Sequence, residues 1–471
     1  MTPLDACDRE ALRGHLARVS AEARALGRPL LAAFRFPTPF GDALDAFGRA
    51  GCEPRFFFEV AARGDALAAL GEAARVETAG PDRFVEASSA VTALFARLRV
   101  AGADDAPREV GPRLVGGFAF GATPSTRGAF AGFPALRLVL PSVTLVRRGE
   151  SAWCTLATPV GPESEPAVLG EELEARLATP SADGASAAGA LGTPSRFGAV
   201  ADRSPDDYRR GVTRALAAIA AGELEKVVLA RACTVTRPGG FDPTRVLATL
   251  RGAHPQCFAF GVGLGEACFV GATPELLLRR EGAVVRTSAL AGSAARGRTP
   301  HEDERLAAAL RESKKEQAEH AIVRRAVCDA LTPCCEALEV PESPELLQLD
   351  GIQHLHTPIT GRLREPGRDD ALALLARLHP TPAVAGSPRG AALAFLAARE
   401  RLERGWYAGG VGWLAPSGDA EFAVALRCAV LRGRRATLLA GAGIVEGSQP
   451  DAELAETRLK LRAALGALVE L

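Results

Sequence analysis

The sequence predicts an α+β protein in which antiparallel β-sheets are flanked by helices. Two observations support this fold class. Short runs rich in β-branched and aromatic residues follow one another with hairpin-length turns, which is typical of antiparallel pairing. Helical stretches flank these runs, and no repeat of about 20–50 residues is visible.

The 471 residues carry 56 basic and 56 acidic side chains, so the formal net charge is zero. This balance provides no basic field for nucleic acid or for an anionic membrane surface, and it favours a small-molecule ligand. The N-terminus has acidic residues where a signal peptide is basic, and no apolar run approaches the roughly 20 residues of a membrane span. Ten cysteines without a C-x-x-C pair indicate reduced thiols. Together these features predict a soluble, cytoplasmic protein.

A small, turn-rich segment, PSADGASAAGALGTPS at 180–195, predicts a flexible loop that divides the chain into 1–195 and 196–471. The segment is either a domain boundary or a surface loop within one fold. The loop is favoured, because 113–146 contains the strand-like runs LVGGFAF and LRLVLPSVTLV, which need a sheet supplied from beyond the segment.

The elements after this segment follow in a clear order. Ser204 and Pro205 predict a helix start. Lys226 opens a predicted strand, KVVLARACTVT, and four shorter strands follow: CFAFGVG, ACFVGA, ELLLRR and AVVRTSAL. Helical stretches at 301–332 and 388–404 precede a meander of WYAGGVGWLA, AEFAVALRCAVL and ATLLAGAGI, and a closing helix ends the chain.

Acidic side chains share one helical face at i, i+3 spacing in two stretches: Glu316 and Glu319, and Glu453 and Glu456. Lys460 lies on the second face, one turn further on. Opposed carboxylates of this kind could share a hard cation such as Mg2+, which takes one or two carboxylates and keeps waters. Alternatively, both faces are solvated and carry ordinary ion pairs, such as Lys315–Glu319 and Glu456–Lys460.

The stretch GAGIVEGSQP leads into the closing helix. Its glycines Gly441 and Gly443 let backbone N–H groups approach a ligand, and a helix N-terminus after a glycine loop favours an anion. Nucleotide binding is not supported, because G-x-x-x-x-G-K-[ST] and a βαβ context are missing. G-x-S-x-G, H-E-x-x-H and Cys/His metal spacings are missing too, which excludes the common hydrolase and zinc sites.

Arg427 lies in a predicted strand whose alternation places it on one face with Ala423, Ala425 and Ala429. A guanidinium among alanines has room to bind a carboxylate through two hydrogen bonds. The alternative is an arginine on a solvated face of the sheet.

Three other side chains are candidates for acid–base chemistry. Lys226 shares a strand face with Val228 and Ala230, and it becomes a base if these apolar neighbours remove its proton. Such a lysine more commonly extends to water. Glu275 is a general acid only if burial raises its pKa. His354 is more often a hydrogen-bonded core histidine than a catalyst.

Nine motifs stand in a fixed order over about 225–460: KVVLAR, FVGATPELLL, ALAGSAARG, KKEQAEH, IQHLHTPITG, LHPTPAVAGSP, ERGWYAGGVGW, FAVALRCA and GAGIVEGSQPDAELAETRLK. In this order the chain resembles the chorismate-utilising enzymes, which include anthranilate synthase component I, aminodeoxychorismate synthase, salicylate synthase and isochorismate synthase. RFFFE (55–59) and RLVGGFAFG (113–121) resemble the N-terminal part of isochorismate synthases. The resemblance therefore covers nearly the whole chain, and it implies one unit of two packed antiparallel sheets with helices outside.

The resemblance also implies chorismate as the substrate and Mg2+ as the required ion. Glu319 matches the family's metal-binding glutamate, with Glu316 beside it. Glu453 and Glu456 match the metal-site pair on the closing helix, and Lys460 matches the lysine one turn further on. No obligate protein partner is expected.

The same resemblance implies which residues surround chorismate. Arg427 and Tyr407 match residues that hold the enolpyruvyl carboxylate, and the backbone of Gly292 and Ser293 matches the site of the ring carboxylate. Gly441 and Gly443 match the loop that closes over the substrate, and His354 matches the histidine beside the ring. Many members have threonine where this chain has Ser293.

Two positions divide the family. Members that add water at C2 of chorismate have lysine at the position of Lys226, and lyase members usually have threonine where this chain has Ala385 in its substrate-binding segment. Both residues favour isochorismate synthase. In the resulting hypothesis, Glu275 protonates the departing C4 hydroxyl while neutral Lys226 activates the attacking water.

The nearest alternative is a salicylate synthase, which makes isochorismate and then eliminates pyruvate. Anthranilate and aminodeoxychorismate synthases fit less well, and the tryptophan-sensing motif expected of an anthranilate synthase is not visible. An alternative of another class is a chorismate binder without turnover, against which the retention of Lys226, Glu275 and all four carboxylates argues. The product would serve menaquinone or siderophore biosynthesis, and the long N-terminal part favours menaquinone.

Overall fold

The computed structural model describes residues 4–48, 54–103, 107, 110–178, 198–201 and 204–469. These residues form helices α1 (Ala6–Leu26), α2 (Ala43–Phe47), α3 (Arg83–Ala96), α4 (Pro166–Ala178), α5 (Pro205–Ala220), α6 (Pro243–Ala253), α7 (Pro300–Glu312), α8 (Lys314–Leu331), α9 (Ala371–Leu378), α10 (Arg389–Arg399) and α11 (Pro450–Val469), and a short 3-10 helix, Ala61–Arg63.

The strands, in chain order, are β1 (Leu30–Pro37), β2 (Arg55–Val60), β3 (Asp65–Leu70), β4 (Ala74–Thr78), β5 (Leu98–Gly102), β6 (Leu114–Phe118), β7 (Leu136–Leu140), β8 (Val143–Arg148), β9 (Ser151–Val160), β10 (Gly198–Ala201), β11 (Lys226–Thr236), β12 (Phe258–Leu264), β13 (Ala267–Thr273), β14 (Leu276–Glu281), β15 (Val284–Ala295), β16 (Cys335–Glu339), β17 (Glu345–Gln348), β18 (Ile352–Leu363), β19 (Gly386–Ser387), β20 (Gly410–Leu414), β21 (Ala420–Val424), β22 (Cys428–Arg432) and β23 (Arg435–Ile444).

These strands form two sheets, which confirms the predicted α+β class with two antiparallel sheets and flanking helices. The larger sheet has the order β10-β11-β23-β22-β13-β12-β2-β3-β8-β9-β1-β5, with β19 beside β11. The smaller sheet has the order β16-β18-β15-β14-β21-β20-β6-β7-β4, with β17 beside β18. Their pairs are antiparallel, apart from the parallel pair of β1 with β5.

Strands from both sides of the predicted loop contribute to each sheet. In the smaller sheet β6 pairs with β20, and in the larger sheet β2 pairs with β12. The strand-like runs in 113–146 therefore complete a sheet begun elsewhere in the chain. The predicted loop at 180–195 itself lies outside the described residues.

The main core lies between the two sheets. Phe58, Phe260 and Phe269 enter it from the larger sheet, and Leu278 and Phe422 from the smaller one. A second core packs helices α1, α2, α4, α6 and α11 onto the other face of the larger sheet. Helices α8 and α9 pack on β15 and β14 of the smaller sheet. Among the described helices, none combines the length and apolarity needed to cross a membrane.

Three predicted runs are wrong in the same way, because each is two elements. The run LRLVLPSVTLV forms β7 in the smaller sheet and β8 in the larger one. The run AEFAVALRCAVL forms β21 and β22, which belong to different sheets, and Arg427 between them has a left-handed backbone with φ of 50°. The predicted alternation around Arg427 therefore does not exist. The stretch 301–332 forms α7 and α8, separated at Ser313, whose side chain accepts a hydrogen bond from the backbone N–H of Glu316.

Seven cysteines of the described residues are free thiols, in line with the prediction of reduced cysteines: Cys7, Cys154, Cys257, Cys328, Cys334, Cys335 and Cys428. Five of these seven are buried, and Cys7 is exposed. Cys52 lies outside the described residues.

Candidate active site

Two of the connections that carry the chain between the sheets run side by side. The first leads from β13 through Glu275 into β14, and the second leads from β21 through Arg427 into β22. The N–H of Val424 donates to the carbonyl of Glu275 (2.9 Å), and the N–H of Ala272 donates to the carbonyl of Arg427 (3.3 Å). These backbone hydrogen bonds hold Glu275 and Arg427 at the same place between the sheets.

A cavity lies at this double crossing. Ten of the predicted site residues line it: Glu275, Gly292, Ser293, Glu319, His354, Tyr407, Arg427, Gly441, Gly443 and Lys460. Apolar side chains, among them Val228, Leu290 and Leu439, complete the wall. Residues that are far apart in the sequence therefore converge on one cavity.

A buried ion pair closes one side of this cavity. Lys226, the first residue of β11, is completely buried, and its Nζ lies 2.9 Å from Oε1 of Glu319 on α8. Burial alone would raise the pKa of Glu319, but the ammonium group beside it keeps that pKa below its ordinary value. A Cβ at Gly443 would overlap Oε1 of Glu319 and lie 2.9 Å from Cε of Lys226. The missing side chain at Gly443 makes room for the pair.

Glu275 is buried and has a raised pKa, which is the condition under which it can act as a general acid. It is 4% exposed, and burial raises its pKa to about 7 despite the opposing charges of Lys226, Lys460 and Arg427. Burial also raises the pKa of Tyr407. At neutral pH the cavity therefore contains a carboxyl group close to half-protonated and a phenol able to donate a hydrogen bond.

A row of hydrogen bonds crosses the cavity wall from β15 to Arg427. The pairing of β15 with β18 is irregular at Gly292, where φ is 78°, and Ser293 then lies opposite His354. Oγ of Ser293 lies 2.9 Å from Nδ1 of His354, and Nη2 of Arg427 donates to Nε2 at 2.8 Å. Burial and Arg427 hold the pKa of His354 well below its ordinary value. The neutral ring therefore accepts at Nε2 and donates from Nδ1 to Ser293.

The backbone predicted to hold a carboxylate does contact one. The N–H of Ser293 donates to Oε2 of Glu316 at 3.0 Å. This contact supports the predicted affinity of the Gly292–Ser293 backbone for carboxylate oxygens, although the carboxylate here belongs to the protein.

Lys315 connects the two acidic helices. Its Nζ lies 2.8 Å from Oε1 of Glu453 on α11 and 3.1 Å from Oε1 of Glu316 on α8. Burial alone would lower the pKa of Lys315, but the charges of Glu453 and Glu316 raise it above its ordinary value. The i, i+4 spacing predicted a pair of Lys315 with Glu319 and gave no sign of this bridge between helices.

The other predicted pair is present. Nζ of Lys460 lies 2.7 Å from Oε1 of Glu456 and donates to the carbonyl of Gly441 at 3.1 Å. The alternative of two solvated faces is nevertheless wrong for the innermost carboxylates, because Glu453 is 0% and Glu319 is 7% exposed.

The charges of this carboxylate cluster fit a hard cation. Burial and the charges of Glu319 and Glu456 raise the pKa of Glu316, and burial and Glu456 raise that of Glu453. A bound cation would relieve this repulsion, and a donor set made only of oxygens suits Mg2+. In the described part of the chain, no three Asp, Glu, His or Cys side chains converge closely enough to enclose an ion by themselves. Such an arrangement suits an ion that keeps water or substrate ligands, and Mg2+ stays a prediction.

Ala385 lies behind the cavity wall. It is fully buried, and its carbonyl accepts a hydrogen bond from the N–H of Val228 at 2.9 Å. Its neighbours Ala383 and Val384 line the cavity instead. The structure therefore does not bring the side chain of Ala385 to the cavity surface. A direct contact between Ala385 and the substrate would require it to lie there.

Sequence reasoning missed a buried ion pair that supports the same wall. Arg404 donates to both carboxylate oxygens of Glu400 (2.6 and 2.7 Å) and to the carbonyls of Val384 (2.8 Å) and Val228 (2.7 Å). Glu400 also accepts from the N–H of Ala230 at 2.8 Å. The i, i+4 spacing of Glu400 and Arg404 was the available signal, but spacing does not show that the pair is buried.

Comparisons with known proteins identify the family of this chain. A family model described as chorismate binding enzyme matches residues 18–469. The salicylate biosynthesis isochorismate synthase of Pseudomonas aeruginosa is 38% identical over 478 residues, which cover 99% of this chain and 96% of that protein. Isochorismate synthase DhbC of Bacillus subtilis is 43% identical over 271 residues, which cover 56% of this chain and 68% of that protein.

A solved structure shares the fold over nearly the whole chain. It is the structure of MenF, the menaquinone-specific isochorismate synthase from Escherichia coli, with a TM-score of 0.76 and 27% sequence identity. The match covers 96% of this chain and 99% of that one.

Proposed function

This chain belongs to the family of chorismate-binding enzymes, and we propose that it is an isochorismate synthase. It would convert chorismate to isochorismate by adding water at C2 with loss of the C4 hydroxyl. The observation that carries the proposal is Glu275 on the cavity wall, with a pKa of about 7, together with the buried Lys226, whose Nζ contacts Glu319 of the same wall. Similarity to isochorismate synthases over nearly the full chain supports it.

The reaction needs one proton delivered and one removed. Water attacks C2 and gives a proton to Lys226, the ring double bonds shift, and the C4 hydroxyl leaves as water with the proton of Glu275. One water is consumed and one is released, so the reaction is an isomerisation. In the ion pair with Glu319 the amine of Lys226 carries its full set of protons, so the lysine must first lose one proton before it can accept the proton of the attacking water.

The remaining residues of the cavity bind and orient the substrate. Arg427 and Tyr407 would hold the enolpyruvyl carboxylate by charge-assisted hydrogen bonds. The N–H of Ser293 would hold the ring carboxylate in place of Glu316, and His354 would keep Arg427 aligned through its neutral Nε2.

Mg2+ is the proposed cofactor. Glu319, Glu456, Glu453 and Glu316 would hold it between α8 and α11. When bound, it supplies a positive charge that orients the ring carboxylate and stabilises charge developing next to the reacting carbon.

A product assay tests the function. Purified protein is incubated with chorismate and Mg2+, and the products are resolved by chromatography. Isochorismate alone is expected, whereas salicylate with equimolar pyruvate would make the protein a salicylate synthase, and binding without turnover would make it a chorismate binder.

Lys226→Gln is the variant for this assay, because the amide can still donate to Glu319 but cannot accept a proton. Turnover should fall by about 10²–10⁴-fold while chorismate binding is kept. Unchanged turnover would remove Lys226 from the mechanism.

The pathway that uses the product is a further part of the proposal. We propose menaquinone or siderophore biosynthesis, since one similar protein is named as a menaquinone-specific isochorismate synthase and another is named for salicylate biosynthesis. Deleting the gene and restoring growth with menaquinone or with a siderophore separates the two.

A further inference from the structure

A second cavity lies on the other side of Arg427. It has a volume of about 270 Å³, compared with about 60 Å³ for the cavity that contains Glu275. Helices α6 and α11 and the turn at Asp350 form its wall, and Arg427 lines both cavities. The wide outer space and the narrow inner one therefore meet at Arg427.

The charges of the outer cavity favour an anion. Its charged lining side chains are Arg427, Arg462 and Asp350, which leaves a net positive charge. Arg462 is exposed on α11, and His254 is held neutral, because burial lowers its pKa. An anion arriving from solvent meets the exposed Arg462 first and the half-buried Arg427 at the inner end.

We propose that the outer cavity is an antechamber through which a dicarboxylate substrate reaches the active site. The inference rests on the proposed function for the identity of that substrate, chorismate. In the structure Arg427 donates to His354 across the boundary. A substrate carboxylate entering from the antechamber exchanges with His354 as the partner of the guanidinium and is drawn into the inner cavity. Positive charge along a low-dielectric cleft raises association rates by about 10–10³-fold.

A plug in the antechamber tests the path. Gly466 lines the cavity on α11, and a Cβ there meets no heavy atom within 4 Å, so Gly466→Leu fills the space without a backbone clash. Gly390→Leu on α10 is the matched control, since Gly390 is also helical, is also open at its Cβ and is absent from the walls of both cavities. Both variants replace a helical glycine by leucine, which favours helix formation equally.

The measurement is the rate constant of chorismate association, followed in a stopped-flow instrument by tryptophan fluorescence, because Trp406 adjoins Tyr407 of the site. Gly466→Leu should slow association about tenfold, within the range of such steering effects, and leave kcat within twofold. Gly390→Leu should match the unmodified protein. Equal rates in the two variants would overturn the antechamber.

A charge reversal tests the role of Arg462. Arg462→Glu should slow association and flatten its dependence on salt, whereas Arg458→Glu, the same change one turn earlier on the exposed face of α11, should have little effect. Equal effects would overturn the proposal.

The binding of chorismate is measured independently of its conversion, so the proposed function and the antechamber can be disproved separately. Chorismate binding without isochorismate formation removes the proposed function alone, and association rates that are the same in every variant remove the antechamber alone. Absence of any binding removes both.

Discussion

Gly443 lies where the two charged side chains at the base of the cavity meet. The sequence indicated only that this glycine allows a close approach of backbone to ligand. The structure adds a second reason, since the space of its missing side chain is filled by the carboxylate of Glu319 and the stem of Lys226. Gly441, two residues earlier on the same face of β23, has more room.

Gly443→Ala should separate Lys226 from Glu319 and lower kcat/KM by about 100-fold, because a displacement near 1 Å at a catalytic group has effects of this size. Gly441→Ala is the matched control. Its Cβ would lie 3.1–3.2 Å from its nearest neighbours, so small shifts accommodate it and the loss should be several-fold at most. Steady-state kinetics and circular dichroism of both variants check this, and equal losses would contradict it.

Glu275 gives the reaction a pH dependence with a definite sign. Its pKa is raised from 4.5 to about 7, so the protonated acid is present below that pH and is lost above it. The kcat/KM for chorismate should therefore fall with rising pH above about 7, by up to tenfold per pH unit. A profile that stays flat to pH 9 would exclude Glu275 as the acid.

The stability of the fold should respond to the same group. Because folding raises the pKa of Glu275, ionisation destabilises the folded state as the pH rises from 4.5 through 7. Glu275→Gln should consequently increase the free energy of unfolding more at pH 8 than at pH 5, as measured by urea denaturation. This readout does not depend on turnover, so it separates a buried acid from a catalytic one.

At the scale of elements, the first two turns of α8 carry Lys315, Glu316 and Glu319, of which Lys315 reaches α11 and Glu319 reaches Lys226 of β11. The start of α8 depends on Ser313, because the Oγ of this residue accepts a hydrogen bond from the N–H of Glu316 at 3.3 Å. Ser313 is also the residue at which the preceding helix α7 ends. The cap thus fixes where the helix begins and, with it, the direction of the acidic side chains.

Ser313→Ala should lower the free energy of unfolding by about 1 kcal/mol through loss of the cap, and it should also lower kcat/KM several-fold. Ser204→Ala removes a similar cap, at 3.1 Å from the N–H of Asp207 on α5, and should cost similar stability without changing kcat/KM. Urea denaturation and kinetics of the two variants check this. A similar loss of activity in both would show a general effect of destabilisation.

The elements also show what the sequence could predict. Most strands after Lys226 were predictable, since each is a short apolar run bounded by turn residues. The division of AEFAVALRCAVL was not, because the change of sheet occurs inside a continuous apolar run and depends on hydrogen bonds to the distant connection at Glu275. Helix α9 was missed although Asp370 caps it, since its leucines face the core on most sides.

The residues of the candidate site likewise fall into those that the sequence could predict and those that it could not. Motif order identified the residues around the cavity because the resemblance encodes positions that meet only in the fold. It did not identify Lys315 or the Glu400–Arg404 pair, whose roles depend on burial and on partners in other elements. Sequence spacing shows which residues share a helical face, but only the packing of the fold shows which face is buried from solvent.

At the scale of the whole molecule, a chain with zero net charge gathers seven charged side chains around one crossing between the sheets. Four glutamates of α8 and α11 lie there with Lys226 of β11, Lys315 of α8 and Lys460 of α11: Glu316, Glu319, Glu453 and Glu456. The ion pair of Lys315 with Glu453 joins α8 to α11, so an ion bound there should stabilise the fold.

Mg2+ should therefore raise the thermal stability of the protein. A ligand that binds only the folded state adds about 2.7 kcal/mol at a concentration one hundred times its Kd. Glu456→Gln should abolish this gain, whereas Glu446→Gln, an exposed residue just before α11, should keep it. Differential scanning calorimetry with MgCl2, compared with NaCl of equal ionic strength, separates specific binding from screening. An equal response to both salts would mean that the lysines alone neutralise the cluster, and the prediction of a Mg2+ site would then be wrong.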